Sequence, residues 1–205
     1  MEKARNMTLA AFIEQAGAKS PTPGGGAIAA LAGALGVSMA MMAARFTTGR
    51  KKFEAVAAEI EDAVNRLEKL SAAFLDFIDA DRSAYSAVNA AYSMPKDTDE
   101  QKTLRSTAIR AACAEAAKPP QAVLASCLDA LKITRRLADI ANPLLLSDVG
   151  VAAEMLNAAA GSAFLNVMVN AEAIRGEEGG GMLKEAEGVL ADCRKLAAET
   201  AERTG

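Results

Sequence analysis

No histidine and no tryptophan occur in this 205-residue sequence, and aromatic residues make up only 4% of it. Without an imidazole there is no Ser-His-Asp triad, no Cys-His dyad, no H-E-x-x-H zinc helix and no histidine pH switch. Catalysis by this chain must therefore fall to carboxylates, Lys, Arg or neutral polar groups. Cysteine is scarce too: Cys113, Cys127 and Cys193 are odd in number and form no C-x-x-C pair. That pattern suggests neither a disulfide framework nor a thiolate metal cluster, and reduced, partly buried thiols in a cytoplasmic protein are expected. Nor is there a surplus of positive charge. With 23 Lys+Arg against 26 Asp+Glu, the net charge of -3 disfavours a general nucleic-acid binder.

The chain has the length of a single domain, 1–205, with a sizeable core, and 51% of it is hydrophobic. Its first seventeen residues mix charges with a short apolar run, which predicts no signal peptide. Residues 20–44 carry no charge, but alanine, glycine and methionine dominate them. A buried central helix is expected there in preference to a membrane span, which favours Leu, Ile and Val.

Periodicity predicts an all-α protein, a single multi-helix bundle with long antiparallel helices. Helices are expected near residues 8–18, 25–48, 52–93, 100–118, 120–141, 148–175 and 181–203. The punctuation sets these limits. Pro21-Thr22-Pro23-Gly24-Gly25-Gly26 separates the first two, Gly49 caps the second, and Met94-Pro95 ends the third. Pro119-Pro120 is placed to start a new helix, Asn142-Pro143 to stop it, and Ser147 or Asp148 to cap the next. Gly176 and Gly179-Gly180-Gly181 form the last expected break.

Residues 52–93 contain a stripe advancing by three or four: Phe53, Val56, Ile60, Val64, Leu67, Ser71, Phe74, Ile78, Asp81, Tyr85, Val88 and Tyr92. Asp81 is the charged member. A carboxylate on an apolar face is costly unless it is paired, and burial raises its pKa toward a useful acid-base range. Asp81 is thus either a functional acid-base or one half of an interhelical ion pair, whereas Asp79, off the stripe, is expected in solvent. The Gly24-Gly25-Gly26 run before a helix offers amide N–H groups to an anion, or makes a tight turn. Arg50-Lys51-Lys52 either attracts an anionic tail or stabilises a helix C-terminus. Asn142 and Asp148 either cap helices or present donor and acceptor atoms to a heterocycle. Asn166 and Asn170 share one helical face, as interhelical ties or as ligand contacts.

The segments F-I-E-Q-A-G-A-K-S-P-T-P-G-G-G-A-I-A-A-L-A-G-A-L-G, T-T-G-R-K-K-F, I-D-A-D-R-S-A-Y, M-P-K-D-T-D-E, N-P-L-L-L-S-D-V-G-V-A-A and F-L-N-V-M-V-N occur in that order. Together they resemble the cyclodeaminase/cyclohydrolase family over residues 8 to about 175. That family contains stand-alone methenyltetrahydrofolate cyclohydrolases and the cyclodeaminase domain of formiminotransferase-cyclodeaminase. The resemblance implies an all-helical, cytoplasmic homodimer that binds a one-carbon folate, with or without a polyglutamate tail. It implies no metal and no cofactor other than the tetrahydrofolate substrate, and no membrane or nucleic-acid partner. By the same resemblance, Pro23, Gly24, Gly25, Gly26, Arg50, Lys51, Lys52, Tyr85, Asn142, Ser147 and Asp148 bind the substrate and Asp81 is catalytic. Arg50 stands where the family more often has lysine. Family membership leaves three readings open: the cyclohydrolase, an ammonia-releasing cyclodeaminase, and a folate-binding or structural dimer without catalysis. The compact chain favours the first.

Overall fold

A computed structural model describes residues 3–205. Six α-helices carry the fold: α1 (Leu9–Gly17), α2 (Gly25–Thr47), α3 (Ala57–Tyr92), α4 (Asp99–Ile140), α5 (Leu146–Ile174) and α6 (Gly176–Thr204). Short 3-10 turns at Ala4–Asn6, Lys51–Val56 and Pro143–Leu145 fill the connections, and no strand occurs among the described residues. The all-helical expectation holds.

Helix α2 is central because its side chains are small. Ala27, Ala29, Ala30, Val37, Ala40, Ala43 and Ala44 are fully buried, and two glycines let neighbours approach its axis. A Cβ on Gly33 would lie 2.4 Å from the Phe74 ring of α3, and one on Gly36 would lie 2.8 Å from Leu156 of α5. Helices α3 and α5 thus flank α2, both running antiparallel to it. Gly33→Ala is expected to cost about 1–3 kcal/mol as Phe74 is forced aside, measured as a lower denaturant midpoint at unchanged m-value.

Both long hydrophobic helices meet a length and hydropathy criterion for crossing a membrane, α2 and the stretch Pro143–Ile174. In α2, 56% of the most apolar window is already buried inside the bundle, as a core helix requires. Its opposite face is open, with Ile28, Leu35 and Phe46 exposed, and α5 adds exposed Val151, Leu165 and Val169. The buried threonine hydroxyls are satisfied locally. The hydroxyls of Thr47, Thr134 and Thr200 each donate to the carbonyl four residues earlier.

Three boundary expectations fail. Helix α4 runs unbroken for 42 residues with Pro119 and Pro120 inside it. A capping box of Thr98 and Gln101 starts it, and Pro120, Val123, Leu124 and Cys127 bury its following turns, so packing outweighs the proline penalty. Gly179-Gly180-Gly181 likewise lies within α6. The break comes earlier, at Arg175 (φ 62, ψ 176) and Gly176 (φ 64), with Arg175 as the single residue between the two helices. A Cβ on Gly179 would lie 2.3 Å from the Ala171 carbonyl oxygen, so this glycine lets α6 fold back onto α5. Finally, α5 begins at Leu146, which leaves Ser147 and Asp148 in its first turn with neither as the N-cap. Gly49 does follow the end of α2 with φ 72, as a C-terminal glycine should.

Candidate functional site

The apolar stripe on α3 is buried at Ile60, Leu67, Phe74 and Ile78 and then leaves the bundle, so that Tyr85 and Tyr92 are 42% and 49% exposed. Asp81 sits where burial gives way to solvent. The N-terminus of α2 faces it: the Ala27 amide N–H donates to Asp81 Oδ2 at 3.1 Å. A Cβ on Gly26 would fall 2.0 Å from Asp81 Oδ1 and 2.6 Å from its Cγ. The glycine run therefore has a specific structural task, which is to admit the carboxylate of α3 against the first turn of α2. The anion held at this helix start is the protein's own. Burial pushes the Asp81 pKa above the ordinary carboxylate value, and the single amide hydrogen bond opposes that only in part. Its neighbour Asp79 is not in open solvent as expected. Arg5 bridges Asp76 and Asp79, with Arg5 Nε 3.0 Å from Asp79 Oδ2, and ties the N-terminal segment to α3.

In front of Asp81 lies a cleft of about 360 Å³, within the range of roughly 300–1,000 Å³ usual for small-molecule sites. The turn before α2 forms one wall through Pro21, Gly24 and Gly25, and α3 forms another through Asp81, Tyr85 and Val88. Ala116 and Pro120 of α4 and Asn166, Val169 and Asn170 of α5 close the rest. Asn166 Nδ2 donates to the Ser162 carbonyl at 2.8 Å and Asn170 Nδ2 to the Asn166 carbonyl at 2.9 Å. Each amide is thereby fixed by its own helix, leaving its oxygen and second N–H available. Gly25 makes room for this pair as well, since its Cβ would lie 3.3 Å from Asn166 Nδ2. Pro23 is buried behind the turn, after a cis Thr22–Pro23 peptide bond.

The remaining sequence-derived candidates lie elsewhere. α2 has 23 residues, so its ends are roughly 33 Å apart at 1.5 Å per residue. Arg50, Lys51, Lys52, Asn142, Ser147 and Asp148 gather at its C-terminal end, away from Asp81. Arg50 and Lys51 line an open hollow of about 390 Å³ beside Gly49 and Glu54, and the Lys52 ammonium sits 5.7 Å from the Phe53 ring centroid. Asn142 is buried: its N–H donates to Thr47 Oγ1 at 2.9 Å and its Oδ1 accepts from the Leu144 N–H at 3.2 Å. It clamps the α4–α5 joint to the end of α2. Ser147 is exposed and Asp148 half-buried. One chain thus brings together Asp81, Tyr85 and the glycine turn, and holds the basic segment and the Asn142–Asp148 group at the other end.

Sequence reasoning missed Ala116 and Pro120, and it left Asn166 and Asn170 undecided. The asparagine spacing was a usable signal. For α4 the signal was the proline pair, which invites reading as a helix break. Burial disfavours the thiolate at Cys127 and Cys193, pushing the Cys193 thiol up to about 12. Among the described residues, no group of three or more Cys, Asp or Glu side chains is placed to hold a metal ion.

Comparison with known proteins agrees with this architecture. The chain is 36% identical to a methenyltetrahydrofolate cyclohydrolase of Methylorubrum extorquens, over 94% of this chain and 93% of that protein. It is 31% identical to formimidoyltransferase-cyclodeaminase of Rattus norvegicus, over 80% of this chain but only 30% of that longer protein. The crystal structure of a formiminotetrahydrofolate cyclodeaminase from Thermotoga maritima superposes with a TM-score of 0.88 at 28% identity, covering 98% of this chain and 97% of that one. Residues 8–186 match the family model described as formiminotransferase-cyclodeaminase, and the chain belongs to that family.

Proposed function

We propose that this protein hydrolyses 5,10-methenyltetrahydrofolate to 10-formyltetrahydrofolate, in the cytoplasm. The observation that carries the reading is Asp81, a half-buried carboxylate on the wall of a ligand-sized cleft, held by one amide N–H and with its pKa raised by burial. The substrate carries its own electrophile, an N–C–N carbon bearing positive charge, so the reaction requires neither a metal nor a covalent nucleophile. Asp81 attracts that cation and takes a proton from the attacking water as the C–O bond forms. The hydrated carbon then expels N5: the C–N5 bond breaks, Asp81 returns its proton to N5, and the hydroxyl proton leaves to solvent as the formyl C=O forms. A carboxyl group with a raised pKa suits both transfers. The higher identity to the cyclohydrolase relative, 36% against 28%, favours hydrolysis, whereas the superposition with a cyclodeaminase supports the alternative, release of ammonia from 5-formiminotetrahydrofolate.

We further propose a homodimer in which two copies pack antiparallel across the open faces of α2 and α5. Two features support it. The exposed stripe of Ile28, Leu35, Phe46, Val151, Leu165 and Val169 lacks a covering element in one chain. An antiparallel partner would also bring its Arg50, Lys51, Lys52 and Asp148 toward the Asp81 cleft, where the cations meet the glutamyl carboxylates of the folate tail.

Two assays on purified protein decide the reaction. Loss of methenyl absorbance above the buffer rate, with no ammonia from the formimino compound, is the expected result. Ammonia release without methenyl hydrolysis selects the deaminase, and binding without turnover leaves a folate-binding protein.

A further inference from the structure

The residues lining the Asp81 cleft include one whose backbone carbonyl lacks its ordinary helical donor. In an α-helix the carbonyl of residue 116 accepts from the N–H of residue 120. Residue 120 is proline and has no N–H, while α4 continues straight through it. The Ala116 carbonyl is therefore denied its ordinary intrahelical donor. Both residues line the cleft. Pro119 frees the Glu115 carbonyl in the same way, but neither of those residues borders the cleft. Across from α4, Asn166 and Asn170 each spend one amide N–H on their own helix and keep an oxygen free.

We infer that these groups form the heterocycle-reading wall of the site. The Ala116 carbonyl, freed by Pro120, and the amide oxygens of Asn166 and Asn170 accept hydrogen bonds from the ring N–H and amino groups of the reduced pterin. This assignment rests on the folate reading above and deepens it. It gives α4 and α5 the recognition of the pterin edge, in place of the heterocycle-reading role considered for Asn142 and Asp148 at the far end of α2. These are positioning residues; the bond-making carbon lies at Asp81.

The test is calorimetric titration of the full-length protein with 6-methyltetrahydropterin and, separately, with p-aminobenzoylglutamate, alongside methenyl hydrolysis kinetics. Pro120→Ala restores the missing N–H and draws the Ala116 carbonyl back into the helix. It is expected to weaken tetrahydropterin binding about tenfold, the effect of losing one buried hydrogen bond. KM for the methenyl compound should rise to match while kcat and p-aminobenzoylglutamate binding hold. Asn170→Ala should act in the same direction. Pro119→Ala repairs a carbonyl outside the cleft and should leave every binding constant unchanged. Both replacements raise helix propensity, and a denaturant midpoint on each variant separates lost packing at buried Pro120 from lost binding. Equal effects of the two, or unchanged tetrahydropterin binding in Pro120→Ala, overturn the inference. If tetrahydropterin binds in a Pro120-dependent way but the wild type hydrolyses nothing, the proposed reaction fails and the pterin wall stands.

Discussion

Asp81→Asn is expected to lower kcat/KM for the methenyl compound by about 10²–10⁴-fold, the usual worth of a positioned acid-base group, and at the same time to stabilise the fold at neutral pH. The two effects share one cause. Burial raises the Asp81 pKa, so the folded protein favours the protonated carboxyl more than the unfolded chain does. Stability from that preference is complete below the unfolded pKa and is lost as pH rises through the folded value. At neutral pH the wild type therefore keeps a partly desolvated charge at a cost. Asparagine keeps an oxygen for the Ala27 N–H and removes the charge, so its advantage should shrink as the solution is acidified. Thermal melts of both proteins between neutral and acidic pH measure this. The pH profile gives a second reading: the acid limb of wild-type kcat/KM should lie above the ordinary carboxylate range and should vanish in the variant. A variant with full turnover would remove Asp81 from the chemistry.

Gly26→Ala should reach a similar loss of turnover without touching any reactive group. The new Cβ would stand 2.0 Å from Asp81 Oδ1, far inside van der Waals contact, so the carboxylate must swing away from the Ala27 amide. Alanine is otherwise the better helix residue by about 0.5–1 kcal/mol, which offsets part of the strain and keeps the fold. Activity should drop about 10²-fold or more, as for loss of a positioned catalytic group, while far-ultraviolet circular dichroism stays unchanged. Gly180→Ala, whose Cβ meets open space, is the control. Combining Gly26→Ala with Asp81→Asn should add little to either alone, because both remove the same oriented carboxylate.

Much of this was legible in the sequence, for physical reasons that differ from place to place. The α3 stripe predicted Asp81 because helical periodicity holds over ten turns whatever packs against it. The charge-free, small-residue composition predicted α2 as the central helix, since only close neighbours repay so many glycines. Proline and glycine misled. Pro119-Pro120 and Gly179-Gly180-Gly181 are breakers in isolation, but α4 buries Pro120 with Val123 and Leu124, and α6 needs Gly179 to approach Ala171. Asp79 looked solvated because its partner Arg5 is 74 positions away, and no periodicity reports such a pair. The two-ended distribution of the candidate residues was also hidden. Motif order in sequence does not tell that α2 carries one group at its start and the other at its finish.

The one-residue joint at Arg175 has a mechanical consequence for the cleft. Helix α5 hands over to α6 through Arg175 alone, and Gly179 seats α6 against Ala171, one position beyond Asn170. The amide wall is thus buttressed from behind. The facing pair, α3 beyond Ile78 and the first half of α4, stands largely outside the core, with Tyr92 and Leu104 in solvent. With fewer core contacts on that side, amide hydrogen exchange is expected to run faster in α3 beyond Ile78 than in the α5 wall.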